Sequence, residues 1–210
     1  MKNVTVGLLA GIAVLLVLTG CEEGQVDDKG GGDDDLVFRV NCGADGEFGD
    51  RRGNTWKADR AYTKGSWGYE DGETVDRGDS AQIEGTDLPY VFQTERYSMS
   101  AYRFTVPNGE YTVGLLFAET FEQLTTKGER VYAVSINGVK VLPKLDLIAE
   151  ANGSFKAFAK VFDVEVTKGE IRIDFEGDVQ NPAINGIVIA AGVGGKQRKL
   201  VTQGVSAKSE

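Results

Sequence analysis

Asn137-Gly138 stands between two short apolar runs, residues 131–136 and 139–142. Both residues tolerate positive φ, so the pair closes a two-residue hairpin, the strongest local fold signal in the chain. The same alternation of run and turn fills the second half of the sequence. Residues 100–106 read as a strand closed by Pro107-Asn108-Gly109, a turn sequence. Residues 111–118 are apolar on both faces and therefore read as a central strand. Residues 159–166 follow, and Lys168-Gly169 then turns the chain into 171–175, where Ile171, Ile173 and Phe175 alternate with Arg172 and Asp174. Residues 184–190 give a last strand and 36–41 a first. Many closely spaced strands joined by hairpin turns predict an all-β sandwich or barrel.

Composition narrows the function classes. The chain contains no His, which excludes His general bases, Ser–His triads and His-ligated metals. Its net charge is -9, so nucleic acid is not an expected partner, because neutralising phosphate takes Lys and Arg. Of the 2 Cys, Cys42 lies in an apolar segment and reads as a small buried residue. No cofactor or metal is expected. At 210 residues the chain has room for one ordinary domain, or at most two small ones, and is long enough to bury a core without disulfide or metal staples.

The N-terminus has a different character. Lys2 precedes an apolar run over 7–18 that ends in Leu18-Thr19-Gly20-Cys21. The run is shorter than the roughly 20 residues that span a bilayer, and no basic stop-transfer cluster follows it. Leu-Thr-Gly-Cys resembles the bacterial lipoprotein cleavage box, which implies cleavage before Cys21, lipidation of its thiol and a stable membrane anchor. Residues 1–20 are thus expected to be a signal peptide and 21–35, rich in Asp, Glu and Gly, a flexible tether. The expected location is the bacterial cell envelope, at the outer membrane or cell surface. The domain is expected over 36–192, followed by a polar, frayed tail over 193–210.

The stretch 43–89 is polar and glycine-rich with isolated aromatics. A loop that long inside a domain is either functional or misassigned. Trp56 and Tyr62 are expected to plug the end of the sandwich as core. Trp67 and Tyr69, set among Gly65, Ser66 and Gly68, are expected to be exposed platforms.

Six ordered blocks carry a family resemblance: residues 53–59 (Gly-Asn-Thr-Trp-Lys-Ala-Asp), 92–97 (Phe-Gln-Thr-Glu-Arg-Tyr), 107–113 (Pro-Asn-Gly-Glu-Tyr-Thr-Val), 116–119 (Leu-Phe-Ala-Glu), Asn137-Gly138 and 181–187 (Asn-Pro-Ala-Ile-Asn-Gly-Ile). Together they resemble malectin and malectin-like domains. The resemblance covers essentially the whole domain and implies a jelly-roll-like, galactose-binding-like β-sandwich that binds carbohydrate and is not an enzyme. It carries the family's sugar site onto Tyr97, onto Trp67 or Tyr69, onto the pair Phe121 and Glu122, and onto Gln180 with Asp178 nearby. The second aromatic of the family's pair is a carboxylate here and its acidic residue an amide, so the animal protein's disaccharide specificity does not transfer.

The residue types fit that use independently. Pyranose rings present an apolar face that packs on Trp67, Tyr69, Tyr97 or Phe121, while Glu122, Asp178 and Gln180 can hold hydroxyls. The same positions admit plainer roles: Glu95, Arg96 and Glu119 as a half-buried polar network, Tyr97 as core and Glu122 as solvated loop. The leading expectation is a membrane-anchored carbohydrate-binding module serving a glycoside hydrolase or another envelope protein. Its rivals are a protein-interaction domain with a lost sugar site and a glycosidase using Glu119 and Glu122. A retaining glycosidase needs its carboxyl groups about 5–5.5 Å apart.

Overall fold

A computed structural model describes residues 36–205. The expected leader, the lipidation site Cys21 and the tether lie outside the described residues. The chain runs β1 (Leu36–Asn41), β2 (Phe48–Gly49), β3 (Thr55–Trp56), β4 (Trp67–Glu70), β5 (Glu73–Asp76), α1 (Pro89–Gln93), β6 (Thr94–Tyr97), β7 (Ala101–Thr105), β8 (Gly109–Phe117), β9 (Val131–Ile136), β10 (Val139–Asp146), α2 (Leu147–Ala151), β11 (Phe158–Val166), β12 (Glu170–Val179), β13 (Ala183–Ile184), β14 (Gly186–Ala191) and α3 (Gly195–Val201).

Two antiparallel sheets form the sandwich, one of four strands in the order β1-β14-β8-β11 and one of five in the order β10-β9-β12-β7-β4. A three-stranded sheet, β13-β6-β5, and the β2-β3 pair complete the fold. The expected all-β sandwich is therefore the observed one. The hairpin falls at Asn137-Gly138, with φ of 49° and 80°, and joins β9 to β10 through the Val139↔Ile136 pair.

Strand period explains the layers. On β8, Val113, Leu115 and Phe117 face the five-stranded sheet and join Phe104, Tyr132, Val134 and Ile173 in the main core. Leu116 and Ala118 point the other way, into a second cluster with Trp56, Phe92 and Val201. β14 divides in the same manner, Ile187 and Ile189 inward and Val188 and Ala190 outward. Both strands are covered on both faces, which is why they read as near-continuous apolar runs.

Four expectations change. The stretch 43–89 is not one loop, because β2 to β5 form within it and pair with distant strands. Trp67 is not a platform: it is 8% exposed, stacked on Phe104 at 6.0 Å with Phe38 at 5.9 Å. Its local Gly and Ser neighbours are irrelevant, since β4 pairs with β7 and brings Phe104 opposite it. Tyr62, expected in the core, is only half-buried, with the Arg103 guanidinium 4.2 Å from its ring. Finally, the first part of the expected tail is folded. Val201 is 1% exposed against the outer face of the four-stranded sheet, where a Cβ added to Gly114 would lie 2.8 Å from the Val201 Cβ. Trp56 and Cys42 are buried, at 1% and 0% exposure.

Candidate binding cleft

The small sheet β13-β6-β5 sits at one end of the sandwich and supplies a cleft floor. Val75 pairs with Glu95 across β5 and β6, so the two share a face, and Tyr97 follows on the same face two residues later. Arg77 continues that alternation just beyond β5, where its N–H donates to the Gln93 carbonyl at 2.8 Å. Phe121, from the loop after β8, and Arg130, just before β9, form one wall, and Gln180 and Asn181, between β12 and β13, form another. The cleft encloses about 200 Å³. Gln180 reaches it from a left-handed turn with φ of 59°.

Two ion pairs stiffen the floor. Arg77 Nη2 donates to Glu95 Oε1 at 3.0 Å, and the Thr120 hydroxyl donates to Glu95 Oε2 at 2.7 Å. Arg130 Nε donates to Glu119 Oε2 at 2.6 Å, and its other end donates to the Asn181 carbonyl. Glu119 also accepts the Phe121 N–H at 3.0 Å, which fixes the backbone that carries the aromatic wall. Complete burial pushes the Glu119 carboxyl above its ordinary range, against the opposing pull of Arg130 and the Phe121 N–H. Both Glu119 oxygens are occupied in this way. The polar role expected for Glu95, Arg96 and Glu119 is thus observed, as separate ion pairs instead of one network.

Arg77 differs from Arg130 in keeping Nη1 without a protein partner among the described residues, and its Cζ lies 5.7 Å from the centroid of Phe121. The Tyr97 hydroxyl is likewise without a protein partner among the described residues. Neither Tyr97 nor Phe121 belongs to the two apolar core clusters, although both are half-buried. A ring withheld from the core beside unused donors is suited to stacking and hydrogen-bonding a small polar ligand.

The other face of β6 points into the protein. Arg96 Nε donates to Asp59 at 2.7 Å, and Asp59 also accepts from the Tyr102 hydroxyl at 2.9 Å and the Gly43 N–H at 2.7 Å. Tyr69 lies on that side, half-buried against the main core.

Of the residues expected at the site, the structure brings together Tyr97, Phe121 and Gln180. It leaves Trp67 and Tyr69 out. Glu122 is exposed and lines an adjoining hollow with Arg77, and Asp178 is exposed near the end of β12 without lining the cleft. Val75, Arg77, Arg130 and Asn181 were not expected there. Arg130 had a signal: a carboxylate as apolar in context as Glu119 needs a cation, and Arg130 is close in sequence. Arg77 had none, because only the β5–β6 register places it beside Glu95.

A β-sandwich with a loop-walled cleft of rings and fixed charges defines a carbohydrate-binding or extracellular interaction domain. The chain belongs to the malectin family: the Malectin domain matches residues 36–187. Among solved structures it is similar to a Bacteroides uniformis beta-glucuronidase, with 31% identity and a TM-score of 0.68 over 74% of this chain and 18% of that one. It also shares its fold with the plant receptor-like kinase FER, at 21% identity and a TM-score of 0.65, covering 74% of this chain and 49% of that one. A kinesin-like protein of Arabidopsis thaliana, KIN-14R, is 28% identical over 123 residues, 58% of this chain and 11% of that protein. The chain therefore spans only a small part of the curated relative and of the glucuronidase.

Proposed function

We propose that this protein is a non-catalytic carbohydrate-binding module, tethered to a bacterial envelope membrane through a lipid on Cys21, and that the cleft at Tyr97 and Phe121 is its sugar site. The observation that carries the reading is the pairing of two rings kept out of the core with donors and acceptors around one hollow. A pyranose would lay its C–H face on Phe121 or Tyr97. Its hydroxyls would be held by the free Arg77 nitrogen, the Tyr97 hydroxyl and the Gln180 amide. Glu119, its two oxygens occupied by Arg130 and the Phe121 N–H, acts as a structural carboxylate in this reading. The likeness to a domain-sized piece of a beta-glucuronidase places related sequence beside carbohydrate chemistry in another protein and supports the same setting.

A glycan array on the full-length protein tests the reading. Binding to at least one sugar, lost in Tyr97→Ala and Phe121→Ala while the melting temperature holds, is the expected result. An empty array across neutral and acidic sugars would sink it and bring forward the protein-interaction reading. Labelling with a clickable fatty acid, abolished by Cys21→Ser, tests the tether.

A further inference from the structure

We propose that the cleft continues past Arg77 into a second subsite floored by Phe155, so that the module grips an oligosaccharide chain and not a single sugar. The inference rests on the carbohydrate reading and extends it. Arg77 lines two hollows. One is the cleft already described, and the other, of about 380 Å³, is bounded by Ser80, Ala81, Gln82, Glu122 and Phe155. Arg77 is common to both linings, so the two hollows are neighbours. The first hollow alone is small beside the 300–1,000 Å³ of usual ligand sites; the second brings the pair into that range.

Phe155 is the residue that makes the second hollow a binding surface. It is half-buried but belongs to neither core cluster. Its φ is 54°, a left-handed conformation rare for a bulky side chain. The backbone is held there from both sides: its N–H donates to the Glu119 carbonyl and its carbonyl accepts from the Glu84 N–H, each at 2.8 Å. An aromatic kept in a strained backbone without a packing return points to a use at the surface. The polar complement is at hand. Neither Glu122 nor the Arg77 Nη1 has a protein partner among the described residues. A sugar stacked on Phe155 would present adjacent hydroxyls to the Glu122 carboxylate, while the neighbouring unit sits against Phe121 and Tyr97.

The test is an array of matched series, from mono- to tetrasaccharides of glucose, mannose, galactose, xylose and glucuronic acid, probed with the full-length protein. Affinity is expected to rise about tenfold from mono- to trisaccharide in at least one series. Phe155→Asn, which tolerates the left-handed backbone and should melt no lower than the parent, is expected to flatten that rise while leaving the monosaccharide signal unchanged. Phe121→Ala should lower the signal at every length. A response independent of length, or a Phe155→Asn variant with the parent's length dependence, overturns the second subsite and leaves the sugar reading standing. Absence of binding to every sugar overturns both.

Discussion

The guanidinium of Arg96 sits with its Cζ 3.2 Å from the centroid of the Tyr69 ring, on the face of β6 turned away from the cleft. That stacking, with the Arg96–Asp59 pair beneath it, makes Tyr69 part of the scaffold. Tyr69→Ala is expected to cost about 2 kcal/mol of stability and leave sugar affinity within twofold. Trp67→Ala is expected to cost about 3–5 kcal/mol, because it empties a ring-sized space beside Phe104. Urea melts alongside sugar titrations separate these scaffold positions from Tyr97 and Phe121, where the pattern should reverse.

The Arg130–Glu119 pair carries the next prediction. Arg130→Ala leaves a buried carboxylate without its cation, and a loss of about 3–5 kcal/mol is expected. The pH dependence has a definite sign. Glu119 holds its proton to higher pH in the native state than in the unfolded chain, because burial raises its pKa. Its contribution is therefore full below the ordinary value of 4.5 and declines as pH rises through the raised native pKa. Stability measured against pH should fall less steeply across that interval in Glu119→Gln than in the parent.

Asp50 should behave in the opposite sense. Burial pushes its carboxyl up, but hydrogen bonds from the Asn54 side chain and backbone, the Trp56 indole and the Arg52 N–H outweigh it and hold the pKa below the ordinary 3.8. The stabilisation is present above 3.8 and is lost as pH falls through the lower native value. Trp56 Nε1 donates to Asp50 Oδ2 at 3.2 Å, so acid titration should change indole fluorescence there. The change should be absent in Asp50→Asn and retained in Trp67→Phe.

Gly138 makes no contact that a side chain would meet, so substitution reports on backbone alone. With φ of 80°, Gly138→Val is expected to destabilise the domain by about 1 kcal/mol or more, whereas Gly138→Asn should be closer to neutral. Thermal melts of the two variants settle it.

Gly114 poses the converse case. A Cβ at this position would press on Val201, and Gly114→Ala is expected to cost about 1–3 kcal/mol. Part of the loss should return in the double variant with Val201→Ala, because the smaller side chain makes room. Equal losses in the single and double variants would count against α3 as an integral layer.

These cases mark what could be read from the sequence. The hairpin and the two-faced strands β8 and β14 were legible because their signals are local: a turn dipeptide and an unbroken apolar run. Trp67 was misread because its packing partners, Phe38 and Phe104, come from strands remote in sequence. Helix α3 was hidden because a mostly polar segment docks through a few apolar residues into space left by one glycine. At the cleft, the sequence resemblance supplied Tyr97, Phe121 and Gln180, but only strand register reveals that Glu95 and Tyr97 face the cleft while Arg96 between them turns to Asp59 on the other side.

β1 enters the sandwich at Leu36, opposite Ala190, and ends at Asn41, opposite Gly186, the end from which the cleft loops spring. A six-residue strand spans about 17 Å at its usual rise, so the start of β1 and the cleft lie toward opposite ends of it. A load applied between a tether before Leu36 and a polymer held in the cleft would run along β1. It would pull the β1–β14 ladder lengthwise, so that the ladder hydrogen bonds share the force instead of opening one after another. On the proposed reading of tether and sugar site, the fold is thus oriented as a mechanical coupling.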